Sequence, residues 1–550
     1  MLTILWLSLK KIFLLKAKQM KKIIVVSSVL LLTIIVLAYL YFSNISASNR
    51  NIDKSLAVIP YDASAIFEFT NDKAFYEIFS GYKLFDAIIG QQVQTEISYL
   101  KSIVNNNNLK KLSDGQTILL SFHPEKDSIA FLWTMPLKFE FSLLELQNQL
   151  RFEKRVSTIF TNINDSKVLI VTFKAINKSF YIYTDKNVAI ASYSKAVLEK
   201  SLDKNQKKIS NDFAEIINIL DIKNQQSPAN IFLNYTTIQS FIEHYFIGNS
   251  NSKFILLNHL KGFASLNLSF RSDALIFNGI STIDTSNSSY LKLFLHQQPI
   301  TQTINRILPN NTSYFIEYGL SDYNLFKENL NKQLNRNELE NIKHKLTLIK
   351  TKTGVDLDKD VRTLWGNEFI TFQLASLEKL AAIQVSNGQK LQFYFEPLST
   401  FYSDNIRLFD NPDLLHYYFG DPLKTFSKPY FTIIDNHLIV ANSPSTLQRF
   451  IKNYNNGQLL YKNLDYKAFS NMISDKSNIT LFINFPNSRN YIKNYLSPNI
   501  SKAFRSKNHG LKDFYGVCYQ LESNNTQFLT NFYAGYKQEI LNDSLLISGK

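Results

Sequence analysis

The pattern of apolar and polar positions after residue 55 predicts short strands interrupted by a few amphipathic helices. Ala65–Phe69 is typical of a strand, and Asp72 is expected to begin a helical region that continues to about Leu112. Further strands are predicted at 117–122, 128–133, 180–184, 188–192, 230–235, 263–270 and 274–283, and further helices at 194–202 and 236–246. Because strands outnumber helices and mostly follow one another, the expected fold class is α+β with a mainly antiparallel sheet.

The same succession of segments recurs about 250 residues later. Asp185–Ala191 matches Asp435–Ala441, and Ile231–Tyr235 matches Leu481–Phe485, both at a spacing of 250 residues. A constant spacing over such a distance is hard to obtain by chance. The sequence therefore predicts two tandem copies of one domain.

The outer parts of the two copies agree with small shifts in register. Pro60 and Glu68 match Pro309 and Glu317, both at a spacing of 249 residues. The predicted domains are residues 56–284 and 305–538, with a connector at 285–304 and a C-terminal tail at 539–550. The connector has no run of proline or glycine, so the two domains are expected to pack together rather than to hang on a loose linker.

Ile23–Phe42 is a run of 20 residues without a charge. At about 1.5 Å per residue it is about 30 Å long, which matches the hydrocarbon core of a bilayer. The segment is therefore predicted to be one transmembrane helix in direct contact with the lipid bilayer. A signal peptide cleaved near Ser46–Ser48 is the competing interpretation, but its apolar core would be only about 7–15 residues long.

Positive charge is concentrated before the apolar run. Six lysines and no acid precede residue 23: Lys10, Lys11, Lys16, Lys18, Lys21 and Lys22. Because short segments rich in Lys and Arg stay in the cytoplasm, residues 1–22 are expected there. The juxtamembrane linker at 43–55 and everything after it are expected in the periplasm. The sequence thus predicts a single-pass protein of the inner membrane.

Residues 1–19 leave two interpretations open. Leu2–Leu9 is apolar but too short to span a bilayer, so it would form a helix at the membrane surface. Alternatively, translation begins at Met20, because Met-Lys-Lys before an apolar run is typical of exported proteins. The second interpretation is favoured.

The net charge of the chain is +15, of which the six N-terminal lysines supply six, leaving +9 for the remainder. This mild excess suits an anionic membrane surface or polymer. The chain has no dense stripe of Arg or Lys and no nucleic-acid-binding motif, so DNA and RNA are not expected partners. The expected partners are the bilayer and either another envelope protein or an anionic polymer.

Asp356, Asp358 and Asp360 look like the beginning of a calcium-binding loop. An EF-hand requires Gly at position six and Glu at position twelve, where this chain has Val361 and Asn367. We therefore interpret the three acids as residues at a helix N-terminus, where the helix dipole favours negative charge. No metal ligand is assigned to them.

Ser192–Lys195 fits the Ser-x-x-Lys pattern of penicillin-binding proteins, but no partner motif accompanies it, and the second copy has Asn442–Ser445 instead. The segment is interpreted as a helix cap after a hairpin. Cys518, the single cysteine, is interpreted as a small buried residue in a strand. The aromatic segment His416–Phe419, with its counterpart expected near 166–170, is interpreted as core packing rather than as a ligand contact.

The eight histidines are scattered and form no zinc-binding motif. No catalytic, cofactor-binding or metal-binding residue is therefore assigned, and no cofactor is expected. A non-enzymatic scaffold or binding protein of the bacterial cell envelope is the favoured function. An envelope hydrolase with a dispersed active site is the alternative, and a pocket with convergent polar side chains would favour it.

Three features occur together in this chain: the N-terminal span, an Ile/Leu-Pro dipeptide before an aromatic strand at Pro60 and at Pro309, and the segment Thr353–Asp360, which continues to Glu368. In this combination the chain resembles an uncharacterised family of single-pass bacterial envelope proteins. The resemblance implies the architecture and the location given above, and it implies no activity. The first copy departs from the pattern, because it has Lys110–Gly115 in place of the acidic segment.

Overall fold

The computed structural model describes most of the chain after residue 53. The described ranges are 54–71, 115–125, 129–137, 140–185, 188–209, 227–243, 245–247, 260–271, 273–286, 288–403, 405–505 and 510–536, together with Thr95 and Tyr99. The predicted span Ile23–Phe42 lies outside the described residues, and so does the predicted helical region between Asp72 and Leu112 apart from Thr95 and Tyr99, which are helical. Among the helices of the described residues, none is long and apolar enough to cross a bilayer.

Twenty of the described strands form one antiparallel sheet, and β11 and β19 pair separately. In chain order the strands are β1 (Ala65–Thr70), β2 (Thr117–Pro124), β3 (Ile129–Pro136), β4 (Val156–Ile163), β5 (Ser166–Phe173), β6 (Lys178–Thr184), β7 (Val188–Ser192), β8 (Ala229–Asn234), β9 (Gly262–Arg271), β10 (Ala274–Ile283), β11 (Ile300–Thr301), β12 (Thr312–Gly319), β13 (Trp365–Leu374), β14 (Lys379–Val385), β15 (Ser399–Ser403), β16 (Ile406–Phe409), β17 (Tyr430–Ile434), β18 (His437–Ala441), β19 (Lys476–Ser477), β20 (Ile479–Asn484), β21 (Phe514–Ser523) and β22 (Phe528–Tyr536). The mainly antiparallel α+β fold predicted from the sequence is confirmed.

The α-helices of the described residues lie between the strands along the chain. They are α1 (Leu143–Leu150), α2 (Lys195–Leu202), α3 (Tyr235–Glu243), α4 (Tyr323–Gln333), α5 (Arg336–Thr353), α6 (Gly388–Phe395), α7 (Leu414–Phe419), α8 (Pro444–Asn455), α9 (Leu464–Ser470), α10 (Arg489–Tyr495) and α11 (Pro498–Arg505). Ser142 and Asn335 form capping boxes at the beginning of α1 and α5, and Gly354 ends α5 with a φ of 76°. Short 3-10 and π-helical turns lie between several of these elements.

The strand pairs define the order of the sheet from one edge to the other. The first half runs β4-β5-β6-β7-β3-β2-β1-β8-β9-β10. From the opposite edge, the second half runs β15-β16-β17-β18-β14-β13-β12-β20-β21-β22. When β11 and β19 are left out and the remaining strands of each half are numbered one to ten in chain order, the two halves have the same strand order. The halves join where β10 pairs with β22.

Most strands predicted in the first half are present within a few residues of their expected bounds. The hairpins β2–β3, β6–β7 and β9–β10 all pair as adjacent antiparallel strands. Helix α2 follows Ser194, whose side chain accepts a hydrogen bond from the backbone N–H of Val197 at 3.3 Å. At the outer end of this half, residues 166–170 were predicted to be strand-like and lie in β5, whereas β4 and helix α1 were not predicted.

Residues 166–170, which the sequence suggested as the counterpart of the aromatic segment His416–Phe419, do not correspond to it in the structure. Residues 166–170 lie in β5, which corresponds by its place in the sheet to β16. The aromatic segment forms α7, which lies between β16 and β17. In the first half, a short turn at 174–177 is the whole connection between β5 and β6. Sequence similarity alone did not show that residues 410–429 are an insertion.

The core of the second half is built from stacked aromatic rings. The rings of Tyr318 and Phe369 stack with their centres 4.4 Å apart, and Phe419 packs 5.0 Å from Phe369. Tyr290 and Phe294, from the predicted connector, are buried in the same cluster. The connector is therefore part of the core, because its aromatic side chains fill space between the sheet and α4.

The join between the halves contains a short chain of buried hydroxyl groups. Ser281 on β10 hydrogen-bonds to Tyr235 and to Thr530, both at 2.7 Å. The hydroxyl of Tyr235 also lies 2.7 Å from that of Tyr519 on β21. Because these groups satisfy one another, polar residues at the join are buried without the loss of hydrogen bonds.

Candidate functional site

Ser121, His123 and Asp62 form a hydrogen-bonded chain in the first half of the sheet. Ser121 and His123 are two residues apart in β2, so their side chains lie on the same face. The Oγ of Ser121 lies 2.8 Å from Nε2 of His123, and Nδ1 of His123 lies 2.7 Å from Oδ1 of Asp62. This is the order of groups in which serine hydrolases connect a nucleophile, a base and an orienting acid.

The loop after Pro60 and helix α2 complete the network. Lys200 on α2 donates a hydrogen bond to Oδ2 of Asp62 at 2.7 Å. Burial opposes ionisation of Asp62, but the hydrogen bonds from His123 and Lys200 outweigh it and lower the pKa of this carboxyl to about 2. Because an ionised carboxylate only accepts hydrogen bonds, Nδ1 of His123 must carry a proton.

The burial of this network argues against hydrolysis. The side chains of Ser121 and His123 are both 0% exposed, so a substrate cannot reach the hydroxyl unless the sheet opens. β2 lies between β1 and β3, which commits the backbone N–H groups around Ser121 to the sheet rather than to an oxyanion hole. As it stands, the network can hold a buried charge and tie the loop after Pro60 and α2 to β2.

A second cluster surrounds the amino group of Lys327 on α4. Lys327 donates a hydrogen bond to the backbone oxygen of Tyr417, and its Nζ lies 5.2 Å from the ring centre of Tyr418. The hydroxyl of Tyr418 donates to Asp358 at 3.1 Å. Burial lowers the pKa of Lys327 to about 8, against the opposing effect of Asp358. The lysine is 5% exposed, so it anchors α7 to α4 rather than presenting a reactive amine to solvent.

The acidic and aromatic segments singled out in the sequence therefore meet in this cluster. Tyr418 and Phe419 are both 1% exposed, which confirms their interpretation as core residues. His416 lies closer to the surface, and its Nε2 is 3.5 Å from a carboxylate oxygen of Asp421. A ligand contact through the aromatic rings would require α7 to leave the core.

The three acids of the predicted helix N-terminus do not converge on one point. Asp356 accepts a hydrogen bond from the backbone N–H of Lys359 at 3.2 Å and pairs with Lys350 at 2.7 Å. Asp360 accepts a hydrogen bond from the backbone N–H of Asp356, at the beginning of the turn Leu357–Val361. The interpretation of Asp356 as a residue that caps a helical turn is confirmed. Nowhere in the described part of the chain do three or more His, Cys, Asp or Glu side chains come together as metal ligands.

Ser192 and Lys195 do not form an acyl-enzyme site. The hydroxyl of Ser192 donates to the backbone oxygen of Phe131 at 2.6 Å, and Lys195 pairs with Glu199 on the surface of α2 at 3.3 Å. Ser194 caps α2, as the sequence predicted. Cys518 is 1% exposed in β21, which confirms its interpretation as a buried strand residue.

Two buried acids lie under the segment that leads into β12. Glu368 accepts hydrogen bonds from the backbone N–H groups of Thr303 and Ile304, at 2.6 and 2.8 Å. Glu317 is fully buried and accepts a hydrogen bond from the side chain of Asn305 at 3.0 Å. Burial, and then the neighbouring charge of Glu368, raise the pKa of Glu317 well above its usual range. Burial at this position therefore favours the protonated, neutral form of Glu317.

Sequence reasoning missed the Ser121–His123–Asp62 network because its parts are far apart in the chain. A signal was present in the sequence. Ser121 and His123 lie at alternate positions of β2, on the face that is buried, so two polar side chains point into an apolar core. A buried pair of this kind requires a partner. Nothing in the periodicity of the strand indicates that the partner is Asp62.

Comparisons with known proteins identify no family for this chain. No protein-family model and no curated protein matches it. Two solved structures of TP0453 are similar in part: crystal form III, at 8% identity and a TM-score of 0.22, covers 45% of this chain and 89% of its own. Crystal form I has 8% identity and a TM-score of 0.19, and it covers 45% of this chain and 88% of its own. Likenesses with TM-scores this low carry no inference about fold or function.

Proposed function

We propose that the chain is a membrane-anchored periplasmic scaffold or binding protein of the bacterial cell envelope, without enzymatic activity. The observation that carries this proposal is the single sheet of twenty strands, because the pairing of β10 with β22 joins both halves of the chain into one platform. The Ser121–His123–Asp62 network is closed inside this platform, whereas the outer surfaces remain available to partners. The N-terminal run Ile23–Phe42 would tether the platform to the inner membrane.

The platform is proposed to consist of two copies of one domain. The identical order of strands in the two halves supports a duplication, and so do matching backbone hydrogen bonds. The N–H of Tyr61 donates to the oxygen of Lys207 at 3.0 Å, and that of Asn310 donates to Gln458 at 2.9 Å. Bridges from Pro60 to Lys208 and from Pro309 to Leu459 repeat the same contact.

Apolar side chains exposed at both ends of the sheet support a binding role. Ile159 on the edge strand β4 is 63% exposed, and Phe401 on the edge strand β15 is 61% exposed. Phe393 on α6, near β15, is 71% exposed. Apolar patches on protein surfaces are typical of contacts with partners. The two edges are therefore candidate surfaces for another envelope protein.

The location is tested with a reporter enzyme that is active only outside the cytoplasm. Fused after Lys550 of the full chain, the reporter should be active, and the protein should remain in the membrane fraction after a carbonate wash. An inactive reporter in a stably expressed fusion would contradict the periplasmic location. A soluble product beginning near Ser48 would show a cleaved signal peptide instead of an anchor.

A hydrolase is the second candidate, and the order of groups in the Ser121–His123–Asp62 network favours it. The test is labelling of the purified full chain with a fluorophosphonate, which reacts with activated serines. We expect no label at Ser121, because its hydroxyl is buried. Labelling that disappears in Ser121→Ala, with the fold intact, would establish the hydrolase and overturn the non-enzymatic proposal.

A further inference from the structure

A cavity of about 480 Å³ opens beside the loop that follows Pro309 in the second half. Its walls come from this loop, from the end of α8 and from the turn that follows α8. The lining residues are Asn310, Asn311, Asn453, Gly457, Gln458, Leu459, Lys462 and Asn463. The volume lies within the range of about 300–1,000 Å³ that is typical of small-molecule sites. Five of the eight lining residues carry side-chain amides, which suits a hydrophilic ligand.

Four side-chain amides in this cavity have no protein partner. Among the described residues, the side chains of Asn310, Asn311, Asn453 and Gln458 make no hydrogen bond, although the backbone groups of the loop do. Each amide offers two donors and one acceptor oxygen. Saccharide hydroxyl groups both donate and accept, so they match a wall of amides better than a ligand with only one kind of group.

One positive charge lies at the cavity. Lys462 is an exposed lining residue, and its Nζ lies 5.9 Å from the ring centre of Tyr461. The ring of Tyr461, the residue before Lys462 in the chain, is 40% exposed. Because the cavity offers neutral amides together with one ammonium group, the site favours a saccharide that carries carboxylates.

At the corresponding positions in the first half, two lysine side chains pack against the protein. Lys207 lies over the ring of Tyr61, with its Nζ 3.8 Å from the ring centre. Lys208 turns inward and donates hydrogen bonds to the backbone oxygens of Lys200 and Ser201, at 2.6 and 2.8 Å. Leu459 holds the position of Lys208 in the second half and makes no such contacts. The second half thus lacks the lysine that, in the first half, hydrogen-bonds to the end of α2.

We propose that this cavity binds a saccharide chain bearing carboxylates, through the amides of Asn310, Asn311, Asn453 and Gln458 and the ammonium group of Lys462. The proposal rests on the proposed function, because it names an anionic polymer of the envelope as the partner. Gly457 permits the site, since it takes a φ of 64° in the turn and a Cβ there would lie 2.8 Å from Nζ of Lys462.

Calorimetric titration of the full chain in detergent tests the site with two probes, a galacturonic acid tetrasaccharide and neutral maltotetraose. We expect both to bind, and the acidic probe to bind more tightly. Asn453→Leu should weaken the binding of both probes by about tenfold or more, because buried hydroxyls would lose their partners. Lys462→Gln should remove only the preference for the acidic probe.

The matched control is Asn455→Leu, on the same helix but outside the cavity, which should leave both affinities unchanged. A folded wild-type chain that binds neither probe would overturn the saccharide site. Binding that depends on Lys462 but survives Asn453→Leu would also overturn it, since a surface charge contact alone would explain the result. Neither outcome touches the periplasmic location, which the reporter fusion tests separately.

Discussion

The loops after Pro60 and Pro309 make the same backbone hydrogen bonds, but the side chains beside them differ. In the first half, Asp62 pairs with Lys200 and joins the polar network inside the sheet. In the second half, Asn311 stands in the place of Asp62 and faces an open cavity. The backbone pattern is thus shared, while the first half uses the position in a hydrogen-bonded network and the second half leaves it at the cavity where we propose that a ligand binds.

The strands below these loops show the same divergence. Ser121 pairs with Ile66 on β1, and Phe372 holds the corresponding position on β13, paired with Phe315 on β12. Ser121 is satisfied by its neighbour in the strand, whereas Phe372 is packed against apolar residues. Both the hydrogen-bonded Ser121 and the apolar Phe372 are stable in a buried position, because a core accepts a polar group when that group is fully hydrogen-bonded.

The largest expected effect concerns positions where the halves agree. Phe232 on β8 and Phe482 on β20 are both buried, at 1% and 0% exposure. Either Phe→Ala variant should lower the free energy of unfolding by about 3–5 kcal/mol, because each leaves a cavity. Urea unfolding of the two variants measures this. Leu529→Ala, at an exposed position, is the control, and a neutral result at only one of the two phenylalanines would break the equivalence.

The next effect concerns a position where the halves differ. His123→Ala should lower the free energy of unfolding by about 2–4 kcal/mol, because it leaves Asp62 and Ser121 without their shared partner. Thermal or urea unfolding checks this value. The control is His344→Ala on the exposed surface of α5, which should have almost no effect. If both histidine variants had almost no effect on the free energy of unfolding, the network would not stabilise the first half.

Acid should reveal the charge of Asp62. Its pKa is lowered to about 2 in the fold, so its contribution to stability is complete above its ordinary pKa and is lost as the pH falls towards 2. The loss should be about 1–2 kcal/mol, since the side chain is partly solvated. Unfolding measured between pH 5 and pH 2 checks this. In Asp62→Asn, the decrease in the free energy of unfolding between pH 5 and pH 2 should be smaller by about this amount. If the wild type and the variant had identical pH profiles, the charge of Asp62 would not stabilise the fold.

The smallest effect at neutral pH is expected at Glu317. Its raised pKa means that it stabilises the fold while protonated and destabilises it as the pH rises through the folded value. Glu317→Gln should therefore change stability by less than about 1 kcal/mol at pH 6 and become more stable than the wild type at alkaline pH. Unfolding against pH measures this, with the exposed Glu340→Gln as control. A large loss in Glu317→Gln at pH 6 would contradict a protonated acid.

The strands of the sheet were predictable because alternation of apolar and polar residues reports which face is buried. β1, β8 and the hairpin β9–β10 were found in this way. The hairpin β4–β5 was harder, because β4 lies at an edge and exposes apolar residues such as Ile159 on the face that alternation expects to be polar.

The candidate sites were less predictable, because their residues come from distant segments. Periodicity located Ser121 and His123 on one face, but the contact with Asp62 depends on the path of the loop after Pro60. The proposed saccharide site involves a difference between Lys208 and Leu459, two residues whose neighbours in sequence give no sign of a cavity. Repeat patterns predict the structure that the halves share, whereas the binding site proposed above lies where the halves differ.

The join of the two halves into one sheet is tested most directly by a disulfide across β10 and β22. Asn278 and Asn531 are directly opposite each other in these strands. In a Cys518→Ala background, Asn278→Cys with Asn531→Cys should form an intramolecular disulfide on mild oxidation, because directly opposite Cβ atoms can approach to about 4.5 Å, the upper end of the disulfide range of about 3.5–4.5 Å. Asn278→Cys with Asn205→Cys is the control and should remain reduced. A folded protein in which the first pair also stays reduced would contradict a single sheet built from both halves.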